Sequence, residues 1–147
     1  MPFVKVWIHF VWSTKNRFPF LNNEIRPKIF QHIRDNANKK GIFLDFINGH
    51  FEHVHCLISL GTEQKISEIV KLIKGESSFW INQQKLTKTK FAWQHEYFAV
   101  GVCESLLDKT RDYIRNQEKH HQHKTFENEF DEMINKYGFQ RYDDSDQ

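Results

Sequence analysis

The chain has 147 residues, a formal net charge of +2 and apolar side chains at 39% of its positions. This length predicts one domain with its own core, and the composition is typical of a soluble globular protein rather than a disordered one. The two cysteines form no CxxC pair, which argues against a disulfide framework and favours a reducing cytosol. The chain has no apolar run of about 18 residues, so we expect a cytoplasmic protein without a membrane partner.

The predicted elements follow the order strand, helix, strand, strand, helix, strand, and a further long helix comes after them. Alternating apolar and polar side chains predict the strands, and apolar residues three to four positions apart predict the helices. Asn48-Gly49-His50 is a turn signal, so the second and third strands are expected to form an antiparallel hairpin. In chain order the predicted ranges are 3–12, 24–39, 42–48, 53–60, 66–83, 95–102 and about 104–121.

This order predicts an α+β domain of the ferredoxin-like split β-α-β type, with an antiparallel sheet of four to five strands. Helices are expected on one sheet face, which leaves the other face available to a ligand. Gly75 is expected to kink the helix before the fourth strand. We expect a domain over residues 1–130 and a charged C-terminal tail over residues 131–147, although residues 126–137 have the spacing to extend a helix.

His53 and His55 are separated by one apolar residue in the predicted third strand. Because side chains alternate along a strand, both point to one face, with Cα atoms roughly 6.5–7 Å apart. Neutral imidazole is a common metal ligand, so the pair is a candidate metal site. The alternative is a pair of half-exposed strand histidines without a ligand. His9 is a candidate neighbour of the pair, depending on the strand order.

Tyr113 and Gln117 are four residues apart in the predicted long helix and therefore share one face. An amide oxygen can join two imidazoles around a divalent metal, and a tyrosine beside that metal is a candidate nucleophile for a phosphodiester. Such a tyrosine needs its pKa, normally about 10, lowered or its proton accepted. A nearby metal, together with Arg111 or Arg115, is a candidate for lowering it. The alternative is a tyrosine that only packs against the sheet.

His120, His121 and His123 lie near the end of this helix, where cations interact favourably with the carbonyl dipoles. We interpret them as a solvated helix end rather than a metal site.

Basic residues cluster in predicted loops near aromatic side chains, a combination that proteins use to bind single strands. The alternative is a solvated lysine surface. These basic residues are Lys15, Arg17, Lys71, Lys74, Lys85, Lys88, Lys90, Arg111 and Arg115.

Five segments together resemble the single-tyrosine HUH transposases of small bacterial insertion sequences, the TnpA-like group. Each segment is a modest signal alone, but the five occur in order between residue 3 and about residue 130. Glu52 stands where an aspartate often precedes the first histidine, so the acidic charge is kept. The segments are Val11-Trp12-Ser13-Thr14-Lys15-Asn16-Arg17, His53-Val54-His55-Cys56-Leu57-Ile58, Ile73-Lys74-Gly75-Glu76-Ser77-Ser78, Phe91-Ala92-Trp93-Gln94-His95-Glu96-Tyr97, and Tyr113-Ile114-Arg115-Asn116-Gln117 with His120-His121.

The resemblance implies that His53, His55 and Gln117 hold Mg²⁺ or Mn²⁺ and that Tyr113 attacks single-stranded DNA. The products would be a 5′-phosphotyrosine and a 3′-hydroxyl that later attacks this link, so that strands are rejoined without ATP. The resemblance also implies DNA hairpins at element ends as partners, and a homodimer in which the tyrosine helix of one subunit serves the histidine pair of the other. The DNA-binding residues it implies are Lys15, Arg17, Lys74, Lys90, Arg111 and Arg115.

Three alternatives to a mobile-element transposase stay open at this point. A domesticated relative would act on repeated palindromic hairpins without mobilising its own gene. A non-catalytic module would bind single-stranded nucleic acid and be indifferent to metal and to Tyr113. A metal-dependent hydrolase would activate water at the histidine pair and form no covalent adduct.

Overall fold

The computed structural model describes residues 1–122, 124–139 and 142. An antiparallel four-stranded sheet has the strand order β2-β3-β1-β4, and its strands are β1 (Val6–Ser13), β2 (Phe43–Gly49), β3 (His53–Leu60) and β4 (Phe98–Val102). The helices are α1 (Arg26–Lys39), α2 (Ile66–Gln83), α3 (Leu107–Arg115), α4 (Gln117–His120) and α5 (Phe126–Tyr137). The predicted ferredoxin-like α+β fold is confirmed.

One sheet face is closed by α1 and α2. Phe10 of β1 and Cys56 of β3 lie opposite each other in the register, and both are fully buried in the core that these helices complete. The core forms because apolar side chains alternate along both strands and meet the apolar stripes of the two helices. α2 runs without a break through Gly75, so the predicted kink is wrong. A single glycine costs a helix only about 1 kcal/mol, which the burial of its stripe outweighs.

The other sheet face, which was expected to be open, is covered by α3 and α5. Leu57 of β3 packs against Leu107 and Ile114 of α3. Val11 of β1 packs in the same way against Phe126 and Met133 of α5. The face carries apolar residues of its own, and covering them removes apolar surface from water. The expectation of a free ligand-binding face is therefore corrected.

The predicted helix over residues 104–121 is broken into a 3-10 turn at Glu104–Leu106, α3 and α4. Asn116 separates the two α-helices, with φ −94° and ψ 23°. The side-chain amide of Asn48, on β2, donates hydrogen bonds of 3.0 Å to the carbonyls of both Ile114 and Arg115. These bonds satisfy acceptors that a continuous helix would pair internally, so the helix can end there.

The predicted helix over residues 126–137 is confirmed as α5. Thr125 caps it by accepting a hydrogen bond from the backbone of Asn128, and Gly138 ends it in the left-handed conformation with φ 57°. α5 crosses residue 130, where the domain boundary was predicted, and that boundary stays a prediction.

The acidic residues 143–147 lie outside the described residues. Within the described ranges, no helix is both long and apolar enough to cross a membrane.

Candidate active site

The β2–β3 hairpin places the two histidines. A Cβ on Gly49 would lie 2.1 Å from the carbonyl oxygen of His53, so only glycine fits at this turn. The backbone N–H of His50 donates to that same carbonyl at 3.1 Å, which holds the turn closed. The resulting register puts His53 and His55 on the face beneath α3 and α5, where both side chains are fully buried. They are therefore not half-exposed strand histidines.

Both histidine rings are oriented through their Nδ1 atoms. Nδ1 of His53 lies 2.7 Å from a carboxylate oxygen of Glu52, and Nδ1 of His55 lies 2.9 Å from Nε2 of His9. His9 is thus the neighbour that the sequence indicated. Partners of this kind fix the tautomer and the direction of metal-binding imidazoles. They leave the Nε2 atoms of both rings facing the space between β3, α4 and α5.

Burial keeps the imidazoles of His9 and His55 uncharged. It lowers the pKa of His9 to about 3, and the nearby His55 adds to the effect. It also lowers the pKa of His55 to about 4, although the carboxylate of Glu129 opposes this shift. Both rings are therefore neutral at neutral pH, which is the form that binds metal ions.

Gln117, the first residue of α4, lies next to His53 in the same site. Its side-chain oxygen lies 3.0 Å from Nε2 of His53, and its side-chain N–H donates to the carbonyl of Tyr113 at 3.1 Å. The second bond identifies which end of the amide faces the histidine. Because Asn116 breaks the helix just before it, Gln117 is directed inward and is fully buried.

Tyr113 of α3 lies beside the same cluster. Its ring centroid is 5.5 Å from that of His55, and its hydroxyl donates a short hydrogen bond to Glu129 of α5. Burial and the negative charge of Glu129 raise the pKa of Tyr113. The suggestion that Arg111 or Arg115 lowers this pKa is wrong, because their guanidinium groups pair with aspartates instead. These pairs are Arg111 with Asp45 and Arg115 with Asp112, each at 2.7 Å.

Glu129 is a site residue that the sequence analysis missed. Only 2% of its side chain is exposed, and its two oxygens lie 3.1 Å from Nε2 of His55 and 2.6 Å from Nε2 of His121. Burial alone raises the pKa of Glu129, but the contacts with His121 and His55 lower it overall, so the group is ionised. The sequence carried one signal, because an acidic residue falls on the apolar stripe between Phe126 and Met133.

The prediction of a solvated end at His120 and His121 is wrong. The side chain of His121 is 2% exposed, because α5 folds back over it and brings Glu129 into contact. The ring of His120 packs edge-on against that of Tyr113 at 5.1 Å. His123, the third histidine of that prediction, lies outside the described residues.

The cluster fits a divalent cation. His53, His55 and Glu129 each offer a ligand atom, and all these atoms lie within 4.8 Å of one another. Nε2 of His55 and the Oε2 atom of Glu129 are buried without a correctly directed hydrogen bond. The close approach to Nε2 of His55, at 3.1 Å, is made by the other oxygen, Oε1. Two imidazole nitrogens with amide and carboxylate oxygens form a donor set suited to Mn²⁺, and the oxygens also suit Mg²⁺.

A cleft of about 470 Å³ opens beside Tyr113, between α3 and α5. Three lysines line it, Lys109, Lys124 and Lys136. Lys124 is paired with Glu132 on the same wall. Lys109 was not among the predicted DNA-binding residues, although its position four residues before Tyr113 predicts a shared helix face. The Tyr113 side chain therefore borders a cleft that is lined by three lysines and by Glu129 and Glu132.

The predicted DNA-binding residues lie in several parts of the structure. Lys15 is exposed in a 3-10 turn, and Lys90 is exposed in a loop. The guanidinium of Arg17 lies 4.8 Å from the ring centroid of Phe130, and the Lys74 ammonium donates to the carbonyls of Gln94 and His95. Arg111 and Arg115 make the aspartate pairs given above. Contact of these six residues with DNA stays a prediction.

The sequence matches the family model described as "Transposase IS200 like" over residues 3–117. The chain therefore belongs to the IS200-like transposase family. The match includes His53, His55, Tyr113 and Gln117, and it ends before α5 and Glu129 begin.

Individual relatives agree with this assignment. The ISDra2 transposase TnpA of Deinococcus radiodurans is 26% identical over 114 residues, which covers 74% of this chain and 81% of the relative. The crystal structure of a D. radiodurans R1 protein described as a transposase superposes with a TM-score of 0.65 at 26% identity, covering 79% of this chain and 93% of that one. A REP-associated tyrosine transposase bound to a REP hairpin has a TM-score of 0.62 at 16% identity, with coverages of 82% and 72%, and shows the shared fold.

Proposed function

We propose that this protein cleaves and rejoins single-stranded DNA at element ends through a 5′-phosphotyrosine intermediate on Tyr113. The observation that carries the proposal is the placement of Tyr113 beside the buried histidine pair, with its ring 5.5 Å from that of His55. Membership of a transposase family supplies the substrate class. His53, His55 and Gln117 would hold Mg²⁺ or Mn²⁺.

In the proposed reaction, the phenolic oxygen of Tyr113 attacks the phosphorus of the scissile phosphodiester. The new Oη–P bond forms as the P–O3′ bond breaks, the phenol loses its proton, and the departing 3′-oxygen gains one. Reversal by another 3′-hydroxyl restores the tyrosine and joins the strands, so the number of phosphodiester bonds is conserved and no nucleotide is consumed.

The chain's own residues prepare this step. The hydrogen bond from the Tyr113 hydroxyl to Glu129 orients the phenol, and Lys109 on the same helix face can pair with the phosphate. Gln117 ties the tyrosine backbone to His53 and so fixes the distance between nucleophile and ligand cluster. A bound divalent cation would act as a Lewis acid on the phosphate and offset its charge.

The active site that we propose is assembled within one chain. α3 packs on the β3 of its own subunit, and Asn48 of β2 holds the end of that helix. The resemblance implied exchange of the tyrosine helix between two subunits. A homodimer remains part of the proposal as an assembly, but the geometry described here needs no second chain to bring Tyr113 to the histidines.

We also propose hairpin-forming single-stranded DNA as the partner. The supporting observation is the related fold of a tyrosine transposase whose structure holds a REP hairpin. The candidate phosphate contacts are Lys15, Arg17, Lys74, Lys90, Arg111 and Arg115.

The test is a denaturing gel with single-stranded DNA from the flanks of the gene, labelled at either end, with and without Mn²⁺ or Mg²⁺. A 5′-phosphotyrosine keeps the 3′-label on the protein and releases the 5′-label as a shorter strand with a 3′-hydroxyl. We expect this metal-dependent, protease-sensitive adduct in the wild type and none with Tyr113→Phe. The matched control is Tyr142→Phe, at a tyrosine that is 78% exposed.

The products also separate the alternatives. Cleavage without an adduct would identify a hydrolase, and binding without cleavage would identify a non-catalytic module. A domesticated relative would form the adduct on repeated palindromic hairpins and not on the gene's own flanks. An adduct that persists in Tyr113→Phe would overturn the assignment of the nucleophile.

A further inference from the structure

We propose that Glu129 of α5 is a further ligand of the divalent cation, so that metal binding fastens α5 over the sheet. The inference rests on the metal site of the proposed function and adds to it a residue outside the family match, which ends at residue 117. Four protein donors would then converge from three elements. They are the two histidines of β3, Gln117 of α4 and Glu129 of α5.

The distances between donor atoms suit a single ion. Ligands on adjacent corners of an octahedron, with bonds of about 2.1 Å, lie about 3 Å apart, and opposite ligands lie about 4.2 Å apart. Nε2 of His55 is 3.1 Å from one oxygen of Glu129, and Nε2 of His53 is 3.8 Å from the other. The Gln117 oxygen is 3.0 Å from the same His53 nitrogen. The separations of 3.0 and 3.1 Å match adjacent octahedral ligands, and the 3.8 Å separation lies between the adjacent and the opposite distances.

The ring orientations also suit a cation. Nδ1 of His53 faces the Glu52 carboxylate and Nδ1 of His55 faces His9, so both rings turn Nε2 toward Glu129. With the protons on the Nδ1 atoms, both Nε2 atoms present a lone pair. Nε2 of His55 has no correctly directed hydrogen bond, and neither has one of the Glu129 oxygens. A cation between these atoms would satisfy both.

The burial of the Glu129 carboxylate also supports a bound cation. The Glu129 side chain lies close to Tyr113, His55, His121 and His53, and none of these is a lysine or an arginine. A carboxylate that is 2% exposed is costly to bury unless it is paired or coordinates a metal. A divalent cation in this cluster would add positive charge beside the carboxylate.

α5 carries both the proposed metal ligand, Glu129, and an aromatic ring that covers the cluster, that of Phe126. The ring of Phe126 stacks on that of His53, with centroids 4.2 Å apart and planes 11° from parallel. Three residues later on the same helix, Glu129 enters the cluster. Docking of α5 and completion of the ligand set are therefore one structural event, and the ion should hold the helix in place.

The test is calorimetric titration of the full chain with Mn²⁺ in the absence of DNA. We expect Glu129→Gln, which keeps the side-chain shape, to weaken Mn²⁺ binding at least tenfold. The matched control is Glu132→Gln on the same helix, where the carboxylate is 62% exposed and paired with Lys124, and it should bind like the wild type. His55→Ala reports whether the metal site exists at all.

A second measurement needs no variant of the site. Mn²⁺ should slow amide hydrogen exchange in α5 of the wild type by at least tenfold and leave α1 unchanged. Unchanged Mn²⁺ affinity in Glu129→Gln together with a weakened His55→Ala would overturn the role of Glu129 and leave the proposed function intact. Equal affinity in all variants would instead remove the metal site from the proposed function. Mn²⁺ binding without protection of α5 would overturn the coupling to this helix.

Discussion

At the scale of single residues, the position of His9 decides how His55 can act. Its ring nitrogen lies 2.9 Å from Nδ1 of His55, and the two rings are tilted by 31° with centroids 5.1 Å apart. If His9 accepts this hydrogen bond, the proton of His55 is on Nδ1 and its Nε2 is free to bind a cation. The residue therefore acts on the candidate metal site through its neighbour and without binding the metal itself.

We predict that His9→Phe, which keeps an aromatic ring but removes the acceptor, weakens Mn²⁺ binding about tenfold. The measurement is the same calorimetric titration, with retention of the fold checked by circular dichroism. His32→Phe is the matched control, because His32 pairs with Glu76 at 2.8 Å and stacks on Trp80 away from the site. An unchanged affinity in His9→Phe would show that His55 needs no partner to select its tautomer.

Local sequence spacing was sufficient to predict some residues of the cluster and insufficient for others. His53 and His55 follow from strand alternation, because both lie on β3. Helix periodicity paired Tyr113 with Gln117 correctly, although Asn116 divides them between α3 and α4. Glu129 lies on a separate helix, α5, which is placed by the burial of Phe126 and Met133. The spacing of residues within α5 does not predict which residues of the sheet Glu129 contacts. The same packing explains why His121 is buried and not solvated.

At the scale of elements, α5 combines a capped start and end with an apolar stripe. Phe126 is 6% exposed and lies between the ring of His53 and the guanidinium of Arg17, whose central carbon is 5.3 Å from its ring centroid. Met133, two turns further on, reaches Val11 of β1. The helix is thus attached mainly at one sheet face, which favours local opening of α5 over opening of the sheet.

We predict that Phe126→Ala weakens docking of α5 by about 3 kcal/mol, which corresponds to roughly 100-fold faster hydrogen exchange in that helix. Exchange of β1 and β3 should stay as in the wild type, as read by mass spectrometry of peptides. Phe79→Ala, at a phenylalanine that is 65% exposed on α2, is the control and should change neither. Equal acceleration in α5 and the sheet would mean that they open as one unit.

The break between α3 and α4 shows where helix prediction fails. Apolar spacing over residues 104–121 predicts one continuous helix, since each turn has an acceptable local pattern. The interruption at Asn116 depends on Asn48, an amide on a distant strand that binds the carbonyls of Ile114 and Arg115. Such a tertiary hydrogen bond leaves no periodic signal in the helix itself.

At the scale of the whole molecule, pairing between strands decides where strands end. The hydrophobic pattern predicts the first strand from residue 3, but β3 ends at Leu60 opposite Val6, so the earlier residues have no partner strand. β4 begins at Phe98, opposite Val11, and not at residue 95, although β1 continues to Ser13. The order of elements and the β2–β3 hairpin were predictable, because turn residues and periodicity are local.

The two thiols provide a probe of the whole fold. Cys56 lies in the central strand pair and is fully buried, and burial raises the pKa of its thiol. Cys103 follows β4 and is exposed. We predict that one thiol per chain reacts with a disulfide reagent at pH 8 under native conditions and two react in denaturant, because only the thiolate is nucleophilic.

In Cys103→Ser the native reaction should disappear, and slow labelling of Cys56 should then follow the rate of global opening. Rapid labelling of both thiols in the native wild type would contradict the burial of the central strands.

The distance along the chain between the two halves of the ligand cluster has a consequence during synthesis. β3 leaves the ribosome well before α5, and at roughly 5–20 residues per second several seconds separate them. During that interval the hairpin can form, but its histidines lack both Glu129 and the cover of Phe126. A nascent chain would therefore present an incomplete cluster, and the order of translation delays the assembly of the candidate active site until the helix that closes it has emerged.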